Sequence, residues 1–313
     1  IDEIKNFSSE VIHIKKKKSS KYKNSINKIL NLKKNISSGW QSNDITCAKN
    51  FRYNWFENKI NLKKNFDFNK KKDFVILPEI FAHLAHELLI KKKVKYAIFV
   101  QNGYSINSTN DEQNLFKAYK NAKFILTGSR DTYDCVKLKF PELKTKILKV
   151  SYSLDLGEIN FNKKSNIITY TSRKLPQHSN LVTSYLKPYL PKRWILKNLN
   201  NLSYEKYLSI LKKSKIFLSF SSLEGLGLPP VEAALAGNHV IGYTGEGGNE
   251  YWREPLFSKV NSGEINKFVL KIIDKIHNNN PKNNYKKRNY IMLKKKFSKE
   301  NEIKNIKKFL KLI

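Results

Sequence analysis

Residues 215–245 read KIFLSFSSLEGLGLPPVEAALAGNHVIGYTG, and they carry a complete strand, loop, helix and strand in succession. KIFLSFS is an uninterrupted apolar run of strand length, SLEGLGL is the loop at its carboxyl end, and PPVEAALAG is a helix with proline near its first position and Gly237 as its stop. HVIGYTG is the next buried strand. Two apolar strands joined by a crossover helix define a parallel sheet, and ligands of open parallel sheets bind at the carboxyl edge of the strands. Gly225 and Gly227 let the backbone come close to a ligand there, with Leu226 and Leu228 between and after them. The free amides of the helix start favour an anion or a hydroxyl-rich group. Glu224 lies in the loop and Glu232 in the first helical turn, so both carboxylates can face one crevice. A carboxylate accepts two hydrogen bonds at once, which suits the vicinal diol of a ribose or a hexose. The plain structural alternative has Glu232 favouring the helix dipole by ~0.3–1 kcal/mol and Glu224 solvated; the strand, glycine loop and double proline around the pair argue for binding.

Working outward, the same alternation fills most of the chain. FVILPEI, YAIFVQNGY, KFILTGS and KILKVSYS read as strands separated by the helical segments FAHLAHELLIKKK, DEQNLFKAYKNA and RDTYDCVKLKF. LDLGEINFNKKS, residues 154–165, interrupts the pattern, which restarts with NIITYTS, SNLVTSYLKPYL, RWILKN and YEKYLSILKKS. The expectation is an α/β protein of two Rossmann-like, doubly wound domains, residues 1–157 and 158–313, with NKFVLKIIDKIHN and ENEIKNIKKFLKLI as amphipathic terminal helices. Residues 1–72 show the weakest pattern; EVIHI reads as a strand and SINKILNLKKNI as a helix. The first residue is not methionine, which leads us to expect further sequence upstream.

Strand ends of the first half offer further cleft candidates. Glu79 follows FVILP, Gln101 and Asn102 follow YAIFV, and Ser129 with Arg130 follow FILTG. Asn102 and Arg130 are placed to meet an acceptor or a diphosphate. His83 and His86, three apart on one helix face, read more simply as packed or solvated side chains than as catalytic ones.

Composition sets the outer bounds. The 313 residues are 40% hydrophobic and 12% aromatic, enough for buried cores. Cys47 and Cys135 are too few for a disulfide framework, and neither sits in a metal-ligand cluster, so a reducing, cytosolic setting is expected. The net charge of +34 raises the question of nucleic acid. Its lysine runs, however, are scattered beside asparagine and isoleucine along the whole chain, as on solvated faces, and nucleic acid is not expected as a partner. An anionic membrane surface, where each basic side chain contributes ~1 kcal/mol, stays open.

EGLGLPPVEAALAG followed by HVIGYTGEGGNEY resembles the E-x7-E signature of the family-4 glycosyltransferases, which have the GT-B fold. ITYTSRK at the start of the second half and SYSLD at the junction match as well, and the resemblance covers residues 73–313. It implies that Glu232 binds the nucleotide ribose, that Glu224 and the amides after it bind the transferred sugar, and that Arg173 and Lys174 take the diphosphate. The glycine-rich acceptor loop and the N-terminal histidine of such enzymes have no clear counterpart here. The implied activity is transfer from a nucleotide-diphosphate sugar to a glycan or lipid-linked acceptor, in cell-surface polysaccharide synthesis, with retention at the anomeric carbon; the lysine-rich surface leaves peripheral placement at the inner membrane face open. No Asp-x-Asp motif occurs, so neither metal nor cofactor is expected. The alternatives are a non-catalytic GT-B-like protein that binds anionic polymer or membrane, and another GT-B enzyme such as a nucleotide-sugar epimerase.

Overall fold

The computed structural model describes residues 66–107, 111–159, 164–278 and 283–313, together with four short strands nearer the N-terminus. These are β1 (Glu10–Val11), β2 (Ile14–Lys16), β3 (Ile45–Cys47) and β4 (Asn61–Leu62). β1 pairs in parallel with β4, and β2 pairs antiparallel with β3. The strand expected at EVIHI is thus two short pieces with different partners; the helix expected at SINKILNLKKNI lies outside the described residues.

The first large sheet contains β5 (Phe74–Pro78), β6 (Lys95–Val100), β7 (Phe124–Thr127) and β8 (Ile147–Lys149), all parallel and in sequential order. Alternate residues of β6 serve two layers, as a strand's period of two requires. Tyr96, Ile98 and Val100 enter a core with Leu115, Tyr119 and Val136 from α1 (Glu112–Asn121) and α2 (Arg130–Lys139). Ala97 and Phe99 face the other way, onto Phe309 and Leu310. Those two belong to the last helix of the chain, so the C-terminus returns to cover the first sheet rather than the second. Burying Phe309 there contributes ~1.5–3 kcal/mol. Asp111 and Ser129 cap α1 and α2, accepting from the amides of Asn114 and Thr132, each at 3.0 Å.

One expected helix takes another form. In place of a helix over FAHLAHELLIKKK, a six-residue 3₁₀ turn over Glu79–Leu84 is followed by a five-residue π turn over His86–Ile90. The wide turn is closed by the Lys91 amide donating to the His86 carbonyl at 3.1 Å. The five-residue step from Leu84 to Leu89, both buried, matches that wider spacing.

The second sheet contains β9 (Ser165–Tyr170), β10 (Ile195–Asn198), β11 (Ser214–Glu224), β12 (His239–Glu246) and β13 (Phe257–Lys259), all parallel, in the order β10-β9-β11-β12-β13. Chain order reverses between β9 and β11. Helices cover both faces, which makes the sheet doubly wound. Ile216, Leu218 and Phe220 of β11 pack with α3 (Pro176–Leu186) and α6 (Ile265–His277). Phe217 faces α4 (Tyr204–Lys213), α5 (Leu228–Leu235) and α7 (Asn283–Lys296). α8 (Lys299–Leu310) is the helix that crosses back to the first sheet. α7 was not foreseen: among its many polar residues only Tyr290 and Leu293, with Phe297 just past its end, mark a packing face.

The SYSLD segment is stitched to these last helices. The Ser153 hydroxyl donates to Glu302 at 2.6 Å, and the Leu154 amide donates to the Phe297 carbonyl at 3.0 Å. Among the described residues, no helix is long and apolar enough to cross a membrane.

Candidate functional site

Reversal of strand order opens a crevice at the carboxyl ends of β9 and β11. The loop leaving β9 is fixed by asparagines at and just beyond the end of β10. The Asn200 side chain accepts from the Ser172 amide at 3.2 Å and donates to the Ser172 hydroxyl at 2.6 Å, while Asn198 donates to the same hydroxyl at 3.0 Å. The next two residues are the expected cations. Arg173 is exposed, and Lys174 sets its Nζ 3.2 Å from Glu224 Oε1. Glu224 ends β11, which is eleven residues long and reaches further than expected: Ser222–Glu224 are its irregular tail, not loop.

The glycine turn is held from both sides of the molecule. A Cβ on Gly225 would lie 1.9 Å from the Gln101 carbonyl oxygen and 2.8 Å from the Asn102 Cα, both in the first domain. The close approach made possible at Gly225 is therefore to protein backbone, where the sequence pointed to a ligand. The Gly225 carbonyl accepts from the Thr132 hydroxyl at 3.3 Å, and the Leu223 carbonyl accepts from Asn102 Nδ2 at 2.9 Å. Leu223 itself has a φ of 48°, a conformation that costs a non-glycine residue ~1–2 kcal/mol. Leu226 is buried beneath the loop, and Gly227, at φ 75°, starts α5 with no side-chain cap. Its carbonyl accepts from the buried Tyr251 hydroxyl at 2.6 Å. Pro229 and Pro230 carry no N–H, so the first turn of α5, beginning at half-buried Leu228, offers only the amides of Leu228 and Val231, and no side chain caps them.

Glu232 lies in the second turn of α5, not the first, because the helix begins at Leu228, ahead of both prolines. Two tyrosines of α4 donate to it: Tyr207 at 3.1 Å and Tyr204 at 3.4 Å. Burial raises the Glu232 pKa above the ordinary carboxylate value, and the two phenols offset part of that rise. Tyr204 is in turn pushed up to about 12 by burial and by the nearby carboxylate. Neither tyrosine was singled out from sequence, although their i, i+3 spacing in YEKY puts them on one helix face.

The first-domain candidates have structural work to do. Glu79 is 5% exposed and accepts from the amides of Gln101 and Asn102 at 3.2 and 3.1 Å. Burial raises its pKa, against the opposing effect of those amides. It fixes the loop that meets Gly225. Asn102 bridges to the second domain through Leu223, and Ser129 is the buried cap of α2. The Arg130 side chain pairs with Asp134 at 3.0 Å, while its amide donates to Glu250 Oε2 at 2.6 Å. His83 and His86 each bury one ring nitrogen without a hydrogen-bond partner, and burial lowers the pKa of His83.

Sequence reading passed over Glu250, in the 3₁₀ turn Gly247–Glu250 after β12. Its carboxylate receives Lys296 at 2.8 Å and Lys149 at 3.0 Å as well as the Arg130 amide, and only 12% of the side chain is exposed. Burial alone would raise its pKa; the ammonium groups and the amide outweigh that and hold it below the ordinary range. Glu250 thereby ties together β8, α2 and α7.

Comparison with known proteins agrees with this architecture. No protein-family model matches the chain. A segment of 82 residues is 32% identical to an alpha-1,6-glucosyltransferase of Actinobacillus pleuropneumoniae, covering a quarter of this chain and a quarter of that protein. Among solved structures, HepE from Anabaena in complex with UDP is similar at a TM-score of 0.64 with 11% identity, over 78% of this chain and 80% of that one. The pneumococcal O-GlcNAc transferase GtfA, in complex with UDP and GlcNAc, is similar at 0.53 with 17% identity, over 78% and 57%. A sucrose-phosphate synthase from Thermosynechococcus elongatus is similar at 0.60 with 11% identity, over 76% and 73%. This chain spans little more than half the length of GtfA. These likenesses show the fold: two Rossmann-like units in the GT-B arrangement.

Proposed function

We propose that this protein is a glycosyltransferase that takes a sugar from a nucleoside diphosphate donor, with UDP-sugars as the leading class. The observation that carries the reading is the meeting of Lys174 and Glu224 at the strand-order reversal, beside a helix start without a side-chain cap and a half-buried, tyrosine-held Glu232. Anion, diol and sugar each have a complementary group within one sheet edge. The UDP held by HepE and GtfA supports the choice of nucleotide.

In this reading Glu232 receives the ribose hydroxyls, while Arg173, Lys174 and the Leu228 amide at the start of α5 receive the diphosphate. Charge accumulates on the diphosphate as the glycosidic bond breaks, and fixed donors aimed at that charge lower the barrier. Those cations would do so without a divalent metal. Glu224 and the backbone after it orient the transferred sugar. The acceptor is a glycan or a lipid-linked glycan of cell-surface polysaccharide synthesis, and transfer retains the anomeric configuration.

The test is a calorimetric titration of the protein with UDP, GDP, dTDP and ADP sugars, followed by transfer assays with the tightest donor. Saturable binding of one of them, weakened by Glu232→Ala with the fold intact, is the expected result. Failure of all four to bind would overturn the reading.

A further inference from the structure

The side of α7 turned away from the second core has no part in sugar transfer as proposed. α7 is anchored through buried Leu293, through Tyr290, whose hydroxyl donates to the Leu235 carbonyl at 3.1 Å, and through Asn289, which donates to the Glu254 carbonyl at 2.6 Å. Lys296 joins them by its pairing with Glu250. At about 100° per residue these four share one side of the helix. The opposite arc presents Lys287, Arg288, Ile291, Met292, Lys294 and Lys295, all exposed, and no acidic residue falls among them. Ile291 is 55% exposed and Met292 60%. Together with Lys287 and Arg288 they line one shallow depression.

Single exposed aliphatic residues are ordinary on protein surfaces. An adjacent aliphatic pair framed by four cations makes two demands at once: an apolar medium for Ile291 and Met292, and negative charge within reach of the lysines and the arginine. A soluble polyanion meets the second demand and leaves the first in water. The boundary between headgroups and acyl chains of an anionic bilayer meets both, at a depth of ~5–10 Å for a helix lying in the interface plane. We propose that this face of α7 docks the protein on an anionic membrane surface, with Ile291 and Met292 at the acyl boundary and Lys287, Arg288, Lys294 and Lys295 among the headgroups. The proposal rests on the lipid-linked acceptor reading for its purpose only; its geometry stands without it.

Sedimentation of the full chain with phosphatidylcholine vesicles, with and without phosphatidylserine, tests this at physiological salt. Binding should need phosphatidylserine. Ile291→Ser/Met292→Ser keeps every charge and should weaken vesicle binding by roughly tenfold or more. Lys287→Gln/Arg288→Gln should weaken it about 30-fold, at ~1 kcal/mol for each charge. Both variants should keep the wild-type circular dichroism and UDP-sugar affinity, so a failed donor assay and a failed docking assay are separate results. Equal binding to neutral vesicles would overturn the proposal. So would unchanged vesicle binding by the serine variant, and if that variant also kept its affinity for dextran sulfate, the face would be reassigned to soluble polyanions.

Discussion

Lys174 Nζ lies 3.2 Å from Glu224 Oε1, and the pair bridges β9 and β11 at the point where the strand order of the second sheet reverses. Both side chains are partly exposed, at 38% and 25%, so their attraction contributes no more than ~1 kcal/mol. A contact this weak can be exchanged for another. A diphosphate carries more negative charge than one carboxylate and would draw Lys174 away, leaving Glu224 to turn toward the sugar. Glu224→Gln should therefore leave UDP affinity unchanged or raise it up to about fivefold, while turnover falls. Calorimetry and steady-state rates on the same preparation check the two halves. A large loss of UDP affinity would show that Glu224 touches the nucleotide itself.

Glu232 makes a different prediction because it is half-buried and its pKa is raised. A raised pKa means that the native state holds this proton more tightly than the unfolded chain. Its contribution to stability is full below the unfolded value and is lost as pH rises through the folded one. Diol binding needs the charged form, so donor affinity should fall as pH drops toward the raised value. Tyr207→Phe removes one of the hydrogen bonds that restrain the rise, and should move that fall to higher pH. UDP titrations of both proteins from about pH 5 to 8 read the shift. Superimposable profiles would separate Tyr207 from the binding carboxylate.

Gly225 tests how the two domains meet. Neither the Gln101 oxygen nor the Asn102 Cα can yield to a Cβ without moving backbone. Gly225→Ala should cost ~1–3 kcal/mol, the usual range for overpacking, and should part the domains at this seam. Lower thermal stability together with a larger radius of gyration in X-ray scattering is the expected pair of results. Full stability with an unchanged radius would mean that the contact is not kept in solution.

Much of the second domain was legible in sequence because its strands are buried on both faces. IFLSF and HVIGY have no other way to satisfy unbroken apolar runs, and proline with glycine marks both ends of α5. Local patterns say less about partners. The role of Gly225 depends on a loop more than a hundred residues away, and Glu250 looks like any surface glutamate until Lys149, Arg130 and Lys296 converge on it. Tyr204 and Tyr207 carry helical spacing that is equally consistent with packing. The 3₁₀ and π turns over Glu79–Ile90 escaped because an apolar pattern shows that a helix is present, not how wide its turns are.

Glu250 should also set part of the acid stability. Its pKa is held below the ordinary range, so its contribution is present above the unfolded value and is lost as pH falls through the folded one. Glu250→Gln should cost ~1–2 kcal/mol near neutrality, less than a fully buried pair because both lysines are partly exposed. Urea unfolding midpoints for the two proteins should converge as the solution is made acidic. A gap that persists in acid would assign the loss to packing rather than charge.

Sugar transfer should proceed without a divalent metal. No Asp-x-Asp motif is present in the sequence, and two cations stand at the sheet edge where a diphosphate seated beside α5 would lie. Among the described residues Arg173 is exposed and makes no ion pair, and Lys174 pairs with Glu224 alone. Both are thus available to a polyanion. The loop that carries them is braced through Ser172 by Asn198 and Asn200, so they are presented with little reorganisation. Removing one fixed donor that meets developing negative charge typically costs ~10²–10³ in rate. Arg173→Ala and Lys174→Ala should each lower kcat on that scale. Excess EDTA should leave wild-type transfer unchanged. Transfer that stops in EDTA and returns with Mg²⁺ or Mn²⁺ would place the stabilising charge on a metal and remove these two side chains from that role.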